Sequence, residues 1–207
     1  MTSTEKSQQS ASASGTALVV IDVQESFRQR AGWQAASDPE VAEQVGRLVD
    51  FARARGDLVI WVLHAEPGTG TVFDPLLGYV RPIDGLAAAD GEPVLTKTSH
   101  NAFTTTNLQQ ILTERGIRSL ITCGIRTEQC VETTTRLASD LGYDVTFVVD
   151  ATATEPIPDP DAPAGRPLAE VLADPRTLLP DEVIARTRYA LAGRFATVTT
   201  VKELTGS

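Results

Sequence analysis

Short, uninterrupted apolar runs recur along this 207-residue chain, and segments with helical spacing separate them. Runs of this kind are typical of strands that are buried on both faces of a parallel sheet. They predict six strands, at residues 17–21, 58–63, 94–96, 119–123, 145–149 and 195–201. The alternation of strand and helix therefore predicts an α/β fold: a doubly wound, mostly parallel, six-stranded Rossmann-like sheet in a three-layer α/β/α arrangement.

Helical periodicity predicts four main helices between the strands, at residues 41–52, 108–112, 131–141 and 181–191. Gly56 supplies a stop signal after the first of these helices. Thr106 and Gln109 have the spacing of a capping box at the start of the second. A further short helix is expected around residues 168–172.

The length fits one domain with a well-buried core, which we assign to residues 15–207. Residues 1–14 are rich in Ser, Thr, Gln and Ala and have no apolar run, so they are expected to form a disordered tail.

A net charge of −9 disfavours nonspecific binding to nucleic acid or anionic membranes. No apolar stretch reaches the length of a membrane span, and two isolated cysteines favour a reducing compartment, hence a cytoplasmic location.

Polar residues follow several predicted strands at the edge where α/β sheets bind ligands. Cys130 begins a predicted helix, where the helix dipole favours a thiolate and backbone amides can hold an oxyanion. Asp22 closes a buried strand, which makes it a better general base than either His64 or His100. Lys97 also follows a strand and could hold carboxylate and sulfur together. Individually, an inert thiol, a turn aspartate and a surface lysine are the alternatives.

Three segments, residues 19–27, 95–103 and 123–134, resemble the signature blocks of the isochorismatase-like cysteine hydrolase superfamily. The resemblance implies a catalytic triad of Asp22, Lys97 and Cys130. It also implies a cis peptide bond between Ile125 and Arg126, with the amides of Arg126 and Cys130 as oxyanion donors. In the chemistry that it implies, Cys130 attacks a carbonyl to form a thioester, and Asp22 activates the water that hydrolyses it.

The resemblance also bears on metal use and on the reaction. The metal-binding branch of the superfamily carries a second histidine near the position of His64, and residues 63–68 lack one, so we expect neither a metal nor another cofactor. Because Cys130 is present, hydrolysis of a C–N bond in a small amide, carbamoyl or ureido compound is the leading hypothesis. Hydrolysis of a vinyl ether, as by isochorismatases, is the alternative, and a non-catalytic binding protein is a third.

Several residues are expected to contact the small-molecule substrate. Phe27 and Phe103 could sandwich a flat compound or pack in the core, and His64 could line the pocket. Arg126 could bind a substrate carboxylate, or it could point to solvent or pair with Glu128.

The Pro-rich residues 155–180 form an insert longer than the resemblance predicts. They could serve as a lid or as an oligomerisation arm. Because members of the superfamily usually assemble, a homo-oligomer, either a dimer or a tetramer, is expected.

Overall fold

A computed structural model of the protein describes residues 15–206, so the predicted tail at residues 1–14 lies outside the described residues. Six parallel strands form one sheet in the order β3-β2-β1-β4-β5-β6. They are β1 (Thr16–Ile21), β2 (Leu58–His64), β3 (Val94–Lys97), β4 (Ser119–Ile125), β5 (Asp144–Ala153) and β6 (Thr197–Thr199). The predicted strands and their parallel arrangement are confirmed.

Within residues 15–206, seven α-helices accompany the sheet: α1 (Glu25–Arg28), α2 (Val41–Arg55), α3 (Leu108–Glu114), α4 (Glu132–Asp140), α5 (Leu168–Ala173), α6 (Pro180–Leu191) and α7 (Val201–Thr205). Alternate residues of β1 pack into two hydrophobic clusters, one on each face of the sheet. Helices α2 and α7 contribute to one cluster, whereas α3, α4 and α6 contribute to the other. The predicted three-layer α/β/α architecture is therefore confirmed.

The order of the strands reverses between β1 and β4, which lie side by side at the centre of the sheet. At their C-terminal ends, Ile21 pairs with Gly124. A Cβ atom on Gly124 would lie 1.9 Å from the carbonyl oxygen of Ile21, and the φ of Gly124 is +130°. Only glycine allows this approach, which brings the residues after β1 and β4 together at the switch point.

Two local predictions differ from the structure. Strand β6 is shorter than predicted, because Thr200 and Glu203 form a capping box that starts α7 at Val201. The capping box predicted for Thr106 and Gln109 is wrong: α3 begins at Leu108, and the Gln109 amide instead donates to the hydroxyl of Tyr143 at 3.0 Å.

Contacts within the Pro-rich insert hold its two ends together. Ile157 and Leu178 form an isolated antiparallel bridge, and Arg166 pairs with Asp174 at 2.9 Å across α5. These contacts give residues 155–180 a defined structure, while their role as a lid or an assembly arm stays a prediction. In the part of the chain that is described, no helix is both long and apolar enough to cross a bilayer.

Candidate active site

The carboxyl group of Asp22 lies just beyond β1, beside the switch point of the sheet. Asp22 has a φ of 53°, a left-handed conformation that is uncommon for a residue other than glycine. Its amide donates to the carbonyl of Val62 at 2.8 Å, so the chain turns out of the sheet while still bonded to β2. The side chain of Asp22 has no exposed surface.

The ammonium of Lys97 links the other two predicted catalytic residues. Lys97 ends β3 and is fully buried. Its Nζ lies 2.7 Å from Asp22 Oδ2 and 3.3 Å from Cys130 Sγ. It also donates to the carbonyl of Ser99 at 3.1 Å. A buried ammonium needs such partners, because an unpaired charge in the protein interior costs several kcal/mol or more.

Cys130 lies in a π-helical turn, Thr127–Val131, that joins β4 to α4. Cys130 is buried, with 6 % of its surface exposed. The hydroxyl of Thr134 donates to the carbonyl of Cys130 at 2.6 Å and accepts from the amide of Ala102 at 3.1 Å. This hydroxyl therefore fastens the cysteine turn to the segment after β3. The structure thus brings together Asp22, Lys97 and Cys130, the three side chains that the sequence singled out.

Burial shapes the protonation of this cluster. It raises the pKa of Asp22, and Lys97 opposes that rise. Burial, reinforced by the negative charge of Asp22, raises the pKa of Cys130 to about 12. Because both pKa values shift upward, the resting cysteine is a thiol, and Asp22 holds a proton more tightly than a solvated aspartate does.

The peptide bond between Ile125 and Arg126 is cis, at the position that the resemblance implied. The amides of Gln129 and Val131 both donate to the carbonyl of Arg126, at 3.2 and 3.3 Å, and so close the turn around the cysteine. The assignment of the Arg126 and Cys130 amides as oxyanion donors stays a prediction.

The guanidinium of Arg126 pairs with protein groups. It lies 3.2 Å from Glu128 Oε1 and donates to Thr154 Oγ1 and to the carbonyl of Glu155, both at 3.3 Å. Glu155 is in turn held by both of its oxygens to Arg30 Nε. The pairing of Arg126 with Glu128 is one of the alternatives that the sequence left open. A substrate carboxylate would have to compete with Glu128 for the guanidinium.

The structure separates the two phenylalanines that were predicted to sandwich a substrate. Phe27 packs edge-on against Phe73 at 5.1 Å, in the cluster beside α2. Phe103 stacks on Tyr143 at 6.3 Å, in the cluster on the opposite face of the sheet. Both rings are thus engaged in core packing, and their contact with substrate stays a prediction.

His64 lies on the side of Lys97 that faces the loop after β2. Its Nδ1 is 3.4 Å from Lys97 Nζ, and its Nε2 is 3.4 Å from Glu66 Oε1. Burial and the charge of Lys97 lower the pKa of His64, so the imidazole is neutral near pH 7. Among residues 15–206, no three His, Cys, Asp or Glu side chains are grouped so that they could hold a metal ion.

Sequence reasoning missed Gln24, which braces this side of the site. Its amide oxygen accepts from the amide of His64 at 2.7 Å, and its amide nitrogen donates to the His64 carbonyl at 3.0 Å. The signal available in the sequence was its position two places after Asp22. The structure adds that the side chain of Gln24 is fully buried. The acceptor role of the Ser99 carbonyl had no signal in the sequence, because it depends on the turn after β3.

The fold and the site define an α/β enzyme with a buried carboxylate–ammonium–thiol cluster at the switch point of its sheet. The profile of the isochorismatase domain matches residues 16–162. The chain therefore belongs to the isochorismatase family, and it is a hydrolase of that family.

Known proteins with similar sequences and structures agree with this assignment. The uncharacterised isochorismatase family protein YrdC of Bacillus subtilis is 30% identical over 137 residues, which span 66% of this chain and 73% of that protein. A streptothricin hydrolase of Streptomyces noursei is 35% identical over 145 residues, spanning 69% of this chain and 56% of that protein. A crystal structure of an isochorismatase from Pseudomonas putida KT2440 superposes with a TM-score of 0.76 at 29% identity, covering 93% of this chain and 91% of the other.

Proposed function

We propose that this protein is a cysteine-dependent hydrolase that cleaves a C–N bond of a small amide, carbamoyl or ureido compound. The observation that supports this proposal is the buried contact of one ammonium with both a carboxylate and a thiol. Lys97 Nζ lies 2.7 Å from Asp22 Oδ2 and 3.3 Å from Cys130 Sγ. Such an arrangement supplies a base, a nucleophile and a positive charge to hold both in register.

In the first half of the reaction, the Cys130 thiol gives its proton to Asp22 as the sulfur attacks the substrate carbonyl. A thiol whose pKa is raised to about 12 does not ionise in advance, so proton transfer and attack are coupled. Lys97 stabilises the negative charge that develops on sulfur. The tetrahedral intermediate collapses to a thioester when Asp22 returns the proton to the leaving nitrogen.

In the second half, Asp22 accepts a proton from water, and the resulting hydroxide attacks the thioester. The sulfur leaves and takes the proton back from Asp22, which restores the resting thiol and carboxylate. The raised pKa of Asp22 suits both halves, because the same group must accept and donate a proton. The amides of Arg126 and Cys130 are the proposed donors to the oxyanion in each step.

A screen for ammonia release from small carboxamides, carbamoyl compounds and ureas tests the proposal. We expect Cys130→Ala to abolish release while leaving the fold intact by circular dichroism. Cys123→Ala is the matched control, because Cys123 is also a buried free thiol but lies inside β4. Unchanged turnover in Cys130→Ala, together with turnover of isochorismate, would replace the proposal with vinyl-ether hydrolysis, in which the cysteine is dispensable.

The hydrolysis of streptothricin by a relative that is 35% identical adds support for a substrate other than isochorismate. The two free cysteines also fit a reducing compartment, so we propose that the enzyme works in the cytoplasm. Fractionation of the source cells with an antibody to the protein would test this location.

A further inference from the structure

A buried hydroxyl group joins the two segments that carry the nucleophile and the ammonium. Thr134 lies in α4, on the turn that follows Cys130, and has no exposed surface. Its hydroxyl donates to the carbonyl of Cys130 at 2.6 Å and accepts from the amide of Ala102 at 3.1 Å. Because a carbonyl can only accept and an amide N–H can only donate, the direction of both hydrogen bonds is fixed.

The segment on the far side of this hydroxyl also holds Lys97. The carbonyl of Ser99, shortly before Ala102, accepts a hydrogen bond from Lys97 Nζ at 3.1 Å. The Ser99 hydroxyl donates to the carbonyl of Asn101 at 2.9 Å, which stiffens the short connection to Ala102. Lys97 Nζ also donates to Cys130 Sγ at 3.3 Å. A closed ring of contacts therefore runs from the sulfur through the ammonium, the segment after β3 and the threonine hydroxyl back to the cysteine.

The contact between the sulfur and the ammonium is the least restraining member of this ring. Sulfur is a weak hydrogen-bond acceptor, so the contact of Cys130 Sγ with Lys97 Nζ does little to fix the cysteine. The hydroxyl of Thr134 instead bonds two backbone groups in a buried place, where a lost partner is not replaced by water. The cysteine turn needs such a restraint, because Thr127–Val131 is a π-helical turn rather than part of a continuous α-helix.

Bonding within the helix does not account for this arrangement. A threonine in a helix commonly donates to the carbonyl four residues earlier, and many such bonds serve only the helix. The oxygen of Thr134 also accepts from Ala102, which belongs to a different segment. The next residue, Thr135, is equally buried, but its hydroxyl meets that of Thr122 in β4 at 2.9 Å. Thr135 thus braces the helix against the sheet, whereas Thr134 connects two parts of the site.

We propose that Thr134 is a positioning residue that holds the Cys130 sulfur against the Lys97 ammonium. It fastens the cysteine turn to the segment whose Ser99 carbonyl binds the same ammonium. This role rests on the proposed function, in which the sulfur attacks a carbonyl. Because displacing a reacting atom by about 1 Å can cost about a hundredfold in rate, loss of the hydroxyl should slow the attack more than it weakens binding.

Crystal structures of variants test the geometry without any substrate. We expect Thr134→Val, which keeps the shape of the side chain but lacks the hydroxyl, to lengthen the separation of Sγ from Nζ by about 0.5 Å or more. Thr134→Ser keeps the hydroxyl and should keep the separation. Thr135→Val is the matched control, because it removes an equally buried hydroxyl from the next position of α4.

An unchanged separation in Thr134→Val, or an equal lengthening in Thr135→Val, would overturn the proposal. If valine at this position prevents folding, Thr134→Ala removes the same hydroxyl with a residue that favours the helix, and the same two outcomes decide.

The burst of p-nitrophenolate from p-nitrophenyl acetate tests the kinetic role. In this burst the acetyl group passes to the Cys130 sulfur, Asp22 takes the thiol proton and p-nitrophenolate leaves. We expect Thr134→Val to lower the burst rate constant at saturating ester by about ten- to a hundredfold, with the half-saturating concentration changed by less than about threefold. Thr134→Ser and Thr135→Val should both stay within about threefold of the unaltered protein. An undiminished burst in Thr134→Val, or no recovery with serine, would contradict the role.

The proposed function fails separately. If Cys130→Ala gives an undiminished burst, or the unaltered protein forms no acyl-enzyme with this ester or with the small amides, the cysteine mechanism is wrong. The separation of Sγ from Nζ in the crystals still decides whether Thr134 places the sulfur. If Cys130→Ala is inactive but Thr134→Val keeps both the separation and the burst, the cysteine mechanism stands and the role of Thr134 is wrong.

Discussion

Asp22 combines a left-handed backbone with a carboxyl group that has no contact with solvent. Both features are costly, and both serve the placement of one oxygen 2.7 Å from the Lys97 ammonium. The position of Asp22 after a buried strand could be predicted from the sequence, as could those of Lys97 and Cys130. The engagement of Arg126 could not, because Glu155 lies 29 positions away and meets Arg126 only in the folded chain.

The raised pKa of Asp22 predicts that activity is lost on acidification at a higher pH than a solvated aspartate would give. Asp22 must be ionised to accept the thiol proton, and burial raises its folded pKa above the ordinary 3.8. The kcat/KM should therefore begin to fall, as the pH decreases, above the pH range in which a solvated aspartate titrates. The fall should persist in His64→Asn, which removes the neighbouring imidazole. Rates measured in constant-ionic-strength buffers would show this, and a profile that is flat down to pH 4 would contradict it.

At the scale of elements, the pairing of β1 with β4 decides whether the site assembles. Apolar runs were sufficient to predict which residues form strands, because a doubly buried strand leaves a clear pattern. They were not sufficient for the ends of elements: the Thr200–Glu203 capping box shortens β6, and Gln109 bonds to Tyr143 rather than to its own helix. Such ends depend on single hydrogen bonds, which tertiary neighbours can redirect.

Gly124→Ala should disrupt this pairing. The new methyl group would lie 1.9 Å from the Ile21 carbonyl, at a φ that side chains rarely adopt, so we expect a loss of at least about 3 kcal/mol in the free energy of unfolding. Gly193→Ala is the matched control, with positive φ but no atom within 4 Å of the added carbon, and should cost only about 1 kcal/mol. Urea unfolding measures both, and equal losses would show that the close approach of β1 to β4 is unimportant.

Glu92 joins α2 to β2, and its charge should stabilise the fold in a pH-dependent way. Arg53 donates to both carboxylate oxygens at 2.8 and 2.9 Å, and Trp61 Nε1 donates at 2.8 Å. Burial alone would raise the pKa of Glu92, but these bonds and one from the amide of Ala89 lower it to about 2. A depressed folded pKa gives stability that is present above the unfolded value of 4.5 and is lost as the pH falls towards 2.

We therefore expect Glu92→Gln to lower the free energy of unfolding by about 1–2 kcal/mol at pH 7. The difference from the unaltered protein should shrink at pH 3. Glu114→Gln, at an exposed position where the carboxylate accepts from the side-chain amide of Gln110, should change little at either pH. A constant difference between pH 7 and pH 3 would mean that the charge of Glu92 is not what stabilises this contact.

At the scale of the whole molecule, the family and the parallel sheet agree with what the sequence predicted, because three strand ends carry the signature residues. The assembly state is different, since it depends on surfaces. Leu76 and Tyr189 are 89% and 84% exposed, which leaves apolar side chains in solvent on the isolated chain. We expect a homo-oligomer, a dimer or a tetramer, by light scattering coupled to size exclusion, and a monomer across the micromolar range would contradict this.

The central claim is that Cys130 carries the substrate as a thioester while Lys97 and Asp22 support it. Acid quenching during turnover, followed by mass spectrometry of the intact chain and of its peptides, tests this most directly. The account predicts an added acyl mass on the peptide that contains Cys130, absent from Cys130→Ala and unaffected in Cys123→Ala. Sustained turnover with no adduct on any peptide, and with full activity in Cys130→Ala, would contradict it.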